Sequence, residues 1–86
     1  MATSAVSKQL LLDRLNRVDR QTASLSTLKN KVQQAVAQVE AAIGGSATQD
    51  DRRVLEQLLA NLTELQRSID SMRSAVTRGR EFASSV

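Results

Sequence analysis

The sequence predicts an all-α protein, an antiparallel two-helix hairpin that completes a four-helix bundle by dimerisation. The first observation is that the 86 residues include no proline and only three glycines, two of them adjacent at Gly44 and Gly45 near the midpoint. The second is that apolar residues recur at alternating steps of three and four in both halves of the chain. This spacing is typical of helices that pack as coiled coils. Together they predict one domain over residues 1–86, with helix 1 at about 4–43, a loop at 44–48 and helix 2 at about 49–82.

The first helix is predicted from a stripe that repeats every seven residues from Leu11 to Val39, with other apolar residues between. Thr22 is the one polar residue in that stripe. The predicted core and interface positions of this half are Leu11, Leu15, Val18, Leu25, Leu28, Val32 and Val36.

The second helix is predicted to begin after Thr48, whose hydroxyl can accept a hydrogen bond from the amide three residues later. Asp50 and Asp51 place negative charge in the positively polarised first turn. Gly79 is expected to weaken the last turns, by about 1 kcal/mol relative to Ala. The predicted core and interface positions of this half are Leu55, Leu58, Leu62, Leu65, Ile69, Met72 and Val76.

The two stripes also predict how the helices pair. In an antiparallel hairpin the numbers of facing residues have a nearly constant sum. Pairing the stripes gives sums of 90 or 91, for example Val18 with Met72 and Leu15 with Val76.

Further apolar residues lie beside the predicted seam, among them Leu10, Leu12, Val54 and Leu59. A lone two-helix hairpin has little core, so this widening predicts a second helical hairpin as partner, in a homodimer or a hetero-pair. A stable monomer with a broad stripe remains the alternative.

The composition excludes most catalytic chemistry. The chain has no Cys, His, Trp or Tyr, so thiol and imidazole catalysis and Cys or His zinc sites lack their atoms. Asp50 and Asp51 lack the ligand spacing of a calcium loop, and helix capping accounts for them. We therefore expect no enzyme, no catalytic or metal-binding residues, no cofactor and no small-molecule substrate.

The net charge of +3 comes with a single aromatic residue, Phe82. Nucleic-acid binding gains affinity from several cations along one face and from aromatic platforms for bases, so we expect neither nucleic acid nor membrane as a partner. The longest apolar run, Leu10 to Leu12, is far too short to span a bilayer. The first residues do not read as a classical signal peptide. We expect a protein that is cytoplasmic as made and that would be secreted, if at all, without such a peptide.

The central run from Ala41 to Thr48 resembles the loop of the small Trp-x-Gly proteins of bacterial type VII secretion. Ile43 stands at the position of the Trp, Gly44 follows it, and Gly45 matches the motif glycine. The resemblance implies paired hairpins in a four-helix bundle and export without a classical signal peptide. That family's carboxy-terminal export signal contains a Tyr, and this chain has none. The resemblance therefore implies a member that pairs with a signal-bearing partner.

Two other interpretations remain open. The Gly-Gly loop followed by a helix start rich in acids and Gln is similar to the small co-chaperones of type III secretion, and more distantly to the needle subunits that they hold. The chain could also be an intracellular coiled-coil scaffold subunit of a larger complex.

Overall fold

The computed structural model describes residues 2–46 and 48–86, with side chains from 7–45 and 48–86. Helix α1 spans Ala2–Ile43, a short 3-10 turn spans Gly44–Ser46, and helix α2 spans Gln49–Ser85. The helices fold back on each other as an antiparallel hairpin measuring 68 × 16 × 13 Å. The predicted all-α class with two long helices is confirmed, and each helix is two or three residues longer at its open end than predicted.

The turn follows from two local signals. Gly44 has a φ of +58°, the left-handed conformation that commonly ends a helix and that favours glycine. Thr48 caps α2: its Oγ1 accepts a hydrogen bond from the Asp51 amide at 3.1 Å, and the Asp51 carboxylate accepts one from the Thr48 amide at 3.1 Å. This reciprocal capping box confirms the predicted start of α2. Ala47, part of the predicted loop, lies outside the described residues.

The core is one narrow seam between the helices. From α2 a column of residues seven apart is buried, and it continues past the predicted stripe to Ala83. From α1 Val36 and Thr22 are buried, and Thr22 is only 1% exposed. The Thr22 hydroxyl donates to the Val18 carbonyl at 2.7 Å, so its burial leaves no unsatisfied polar group. The buried column of α2 consists of Leu62, Ile69, Val76 and Ala83.

The pairing of the helices differs from the predicted register by about one turn of α1. Thr22 contacts Met72, with Oγ1 and Sδ 3.9 Å apart, whereas the prediction placed Val18 opposite Met72. Leu15 lies against Gly79, whereas the prediction placed it opposite Val76. Both contacts have residue numbers that sum to 94, against the predicted 90 or 91. The predicted register was wrong because α1 carries two apolar columns with the same seven-residue period, and the predicted pairs took residues from both, Leu15 from one and Val18 from the other.

Gly79 allows the helices to approach closely near their open ends. A Cβ built on Gly79 would lie 2.8 and 2.9 Å from the two Cδ atoms of Leu15, closer than real side chains pack. Gly79 is therefore part of the seam. The absence of a side chain there lets Leu15 approach closely, in addition to weakening the helix as the sequence predicted.

We predict that Gly79→Ala gains much less stability than the ~1 kcal/mol that the change gives in an open helix interior. The added methyl group must displace Leu15, and that cost offsets the gain in helix propensity. In a Leu15→Ala background the methyl group has room, and the full gain of about 1 kcal/mol should appear. Urea unfolding of the four proteins of this cycle measures the difference. Equal gains in both backgrounds would show that Leu15 does not contact Gly79.

Across residues 2–46 and 48–86, neither helix has a segment apolar and long enough to cross a membrane.

Candidate interaction surface

Helix α1 carries two apolar columns, and only one of them faces α2. The inner column repeats every seven residues, and each of its members from residue 15 onward is buried or half-buried. The other column lies on the adjacent side of the helix, in steps of seven, three, four, three, four and three, and we call it the outer stripe. The inner column is Leu15, Thr22, Lys29, Val36 and Ile43. The outer stripe is Val18, Leu25, Leu28, Val32, Ala35, Val39 and Ala42.

The outer stripe is largely open to solvent. Leu28 is 53% exposed, Val32 and Val39 are each 40% exposed, and only Leu25 is half-buried. A regular apolar heptad pattern is the pattern of a helix that packs against another helix, and here no described residue covers it. Packing within the hairpin therefore does not account for the apolar character of the outer stripe.

The predicted core and interface residues fall into three groups. Within the hairpin four are buried, seven are half-buried and three are exposed, and their prediction as core or interface of a paired assembly stays a prediction. The buried group is Val36, Leu62, Ile69 and Val76; the half-buried group is Leu11, Leu15, Leu25, Leu55, Leu58, Leu65 and Met72; the exposed group is Val18, Leu28 and Val32.

Helix α2 adds apolar residues at both ends of the same side of the hairpin. Val54, Ala75 and Phe82 belong to one column of residues seven apart, and Val54 and Phe82 are 55% and 62% exposed. The middle of this column is polar, with Asn61 and Ser68. The outer stripe of α1 is thus the continuous part of the apolar surface, and α2 contributes flanking contacts.

The opposite side of the hairpin is largely polar, although Leu59 and Ala37 are exposed there and line its groove, Leu59 with 45% of its surface open. Near the open end, Arg80 of α2 donates to Asn16 Oδ1 at 2.9 Å and to Asp19 Oδ2 at 3.3 Å on α1. By helical periodicity, Asn16 and Asp19 lie on the side of α1 away from the outer stripe. Nearer the turn, the same side holds an open groove of about 380 Å³ with an apolar floor at Val36 and Leu62. Its rim carries Lys29, Gln33, Glu40, Thr63 and Gln66.

The residues of the loop motif do not form a cleft. Ile43 is half-buried at the end of α1, while Gly44 and Gly45 are exposed, and a Cβ at either glycine would meet no atom within 4 Å. Only Gly44 has a positive φ, so the conformation of the turn requires glycine there and not at Gly45. The geometry gives these residues a helix-ending role.

Within the described residues, no three acidic side chains lie together in a group that could hold a metal ion. The outer stripe is a continuous apolar surface along a long helix, which is the arrangement of a surface that packs against another helix.

The chain has no significant match among protein-family models, curated proteins or solved structures.

Sequence reasoning missed two features of this surface. Gly79 lies seven residues after Met72 in the regular repeat of α2, and that spacing was the available signal for a seam glycine. The separation of the two columns of α1 had a weaker signal, because both columns follow the same seven-residue period.

Proposed function

We propose that this chain is a non-enzymatic interaction module that binds a second helical hairpin through the outer stripe, as a small secretion-system protein. Within that class we propose a type VII substrate or the pairing partner of one. The single observation that carries the proposal is the exposed heptad pattern of the outer stripe.

The large exposed area of the hairpin supports the proposal that a partner covers part of its surface. The chain of 9.4 kDa exposes 6606 Å². A compact monomer of this mass exposes about 5,000 Å², so the hairpin shows an excess of about 1,600 Å². Its radius of gyration of 19.5 Å also exceeds the roughly 12 Å of a compact chain of this length. A partner that covers the outer stripe removes part of this excess.

The small core supports the same conclusion. Among the residues whose side chains the structure describes, five apolar ones are buried, and one of them is an alanine. A single core of this size supplies no more than about 3–5 kcal/mol of stability. The buried residues are Val36, Leu62, Ile69, Val76 and Ala83. The hairpin by itself is a marginal structure, and a second hairpin stabilises it by mass action.

The proportions of the hairpin favour type VII over type III secretion. Helices α1 and α2 have 42 and 37 residues, and the turn lies at the midpoint of the chain, as in the Trp-x-Gly proteins. The second helices of type III co-chaperones are usually shorter than the first. The Pro-bounded turn of needle subunits has no counterpart, because the chain contains no proline.

We expect the tagged protein to accumulate in the culture medium of the bacterium that naturally makes it, in which the type VII system and the signal-bearing partner are both present. It should remain inside an otherwise identical strain that lacks the membrane ATPase of that system. Immunoblots of medium and cells, with a cytosolic enzyme as lysis control, measure the partition. Equal amounts in the medium of both strains, or retention in both, would contradict the secretion part of the proposal.

A further inference from the structure

We propose that Met72 is an oxidation site within the seam, and that the Thr22 hydroxyl is placed to donate a hydrogen bond to the oxygen of the resulting methionine sulfoxide. The oxidant is a peroxide, and the oxidation weakens the packing of α1 on α2. This inference goes beyond the proposed function and does not depend on it, because it concerns the seam of the hairpin and not the outer stripe.

The composition of the chain confines sulfur oxidation to two residues. The chain has no Cys, so its sulfur atoms are those of Met1 and Met72. Met1 lies outside the described residues. Met72 is half-buried, so part of its side chain is open to a small oxidant in solvent. Met72 is therefore the described residue at which a peroxide can change the chemistry of the seam.

The oxidation needs no reactant other than hydrogen peroxide. A lone pair of the Met72 sulfur attacks one peroxide oxygen, an S–O bond forms, and the O–O bond breaks. The departing hydroxide takes the proton from the transferred oxygen and leaves as water. The sulfur loses two electrons and the peroxide gains them, so the products are methionine sulfoxide and water. Methionine sulfoxide reductases reverse this change.

The Thr22 hydroxyl lies beside the Met72 sulfur. Its Oγ1 is 3.9 Å from Met72 Sδ and 2.7 Å from the Val18 carbonyl oxygen. A thioether is a weak acceptor, so the Val18 carbonyl holds the single hydroxyl hydrogen in the reduced protein. A sulfoxide oxygen on the same sulfur is polar and can turn towards Oγ1. The Val18 carbonyl also accepts the Thr22 amide within α1, so it stays satisfied when the hydroxyl donates to the sulfoxide instead.

The surroundings of Met72 make the seam sensitive to oxidation. Ile69 and Val76, about one turn away on either side along α2, are 0% and 2% exposed. A sulfoxide between them is polar where the thioether was apolar, and its oxygen costs stability unless it finds a donor. Among the side chains that the structure describes, Thr22 is the buried polar one, and it can supply that donor. Oxidation should therefore weaken the hairpin, and should weaken it more when the Thr22 hydroxyl is absent.

Thermal melting before and after treatment with hydrogen peroxide tests the proposal in the parent protein and in Thr22→Val. Valine keeps the branched shape of threonine and lacks the hydroxyl. Mass spectrometry of proteolytic peptides should show one added oxygen on Met72 after treatment of the folded protein. The melting temperature should then fall by about 5–10 °C in the parent protein, and about twice as far in Thr22→Val.

Met72→Leu is the matched control, because it keeps an apolar side chain in the seam and leaves Met1 as the only sulfur. Its melting temperature should not change on treatment. Incubation of the oxidised parent protein with methionine sulfoxide reductases should restore the original melt.

Oxidation of Met72 only in urea, or an unchanged melting temperature in the oxidised parent protein, would overturn Met72 as the site. An equal fall in Met72→Leu would assign the effect to Met1 and overturn it as well. Equal falls in the parent protein and in Thr22→Val would overturn the role of the Thr22 hydroxyl.

Discussion

Ile69→Asp is expected to unfold the protein at 25 °C. Ile69 is 0% exposed and lies at the centre of the buried column of α2. An aspartate there places a carboxylate in the seam without a hydrogen-bond partner, which costs several kcal/mol in addition to the lost apolar contact. The whole core supplies only about 3–5 kcal/mol, so the substitution exceeds the stability of the hairpin. Circular dichroism at 222 nm should show loss of most of the helical signal.

The matched control is Ser74→Asp. Ser74 is exposed on the same helix, and Ser and Asp have similar helix propensities, so this variant introduces the same charge without burying it. Its helical signal and melting temperature should remain close to those of the parent. A folded Ile69→Asp protein with parental stability would show that the seam between α1 and α2 is not the core.

Val32→Glu is expected to dissociate the assembly. Val32 lies near the middle of the outer stripe and is 40% exposed in the hairpin, so the substitution is tolerated there. When a second hairpin covers the outer stripe, the carboxylate would be buried in the interface, and its desolvation opposes association. A loss of about 4 kcal/mol corresponds to an increase of about a thousandfold in the dissociation constant. Sedimentation velocity at micromolar concentration should show the change in mass.

Gln34→Glu provides the control for this substitution. Gln34 is exposed two residues further along α1, on the side that faces neither α2 nor the outer stripe, and the variant carries the same added charge. It should associate like the parent protein. If Val32→Glu and Gln34→Glu associate equally well, the outer stripe does not form the interface.

The features that the sequence predicted correctly are those that depend on local signals. The steps of three and four in α2 predicted one continuous apolar stripe, and the structure buries Leu62, Ile69 and Val76 of that stripe. Thr48, Asp51 and the paired glycines set the ends of the helices through hydrogen bonds and φ angles that involve only near neighbours. Such signals can be read without knowledge of the tertiary structure.

The register between the helices could not be predicted in the same way, because it depends on a choice between two columns of α1 with the same period. The outer stripe is the more apolar of the two, and hydrophobicity alone favours it as the seam. The structure instead uses the column with Thr22, whose hydroxyl is satisfied by its own helix, and with Leu15, which Gly79 accommodates. The seam thus contains a small residue on one helix and a satisfied polar residue on the other, and neither can be recognised from hydrophobicity alone.

The choice of column also determines which apolar side of α1 stays exposed to solvent. Had α2 covered the outer stripe, the more apolar side of α1 would be buried within one chain, with less reason for a partner. Because α2 covers the inner column, the outer stripe remains exposed over about seven helical turns. The fold of the hairpin and the exposed surface that we propose binds another hairpin are therefore two consequences of the same packing arrangement.

Sedimentation equilibrium of the purified protein, with circular dichroism melting over a hundredfold range of concentration, tests the central claim that the hairpin is half of an assembly. The account predicts a particle of twice the 9.4 kDa mass of one chain, whose melting temperature rises with protein concentration because unfolding is coupled to dissociation. A 9.4 kDa particle with a cooperative melt that does not depend on concentration would contradict it.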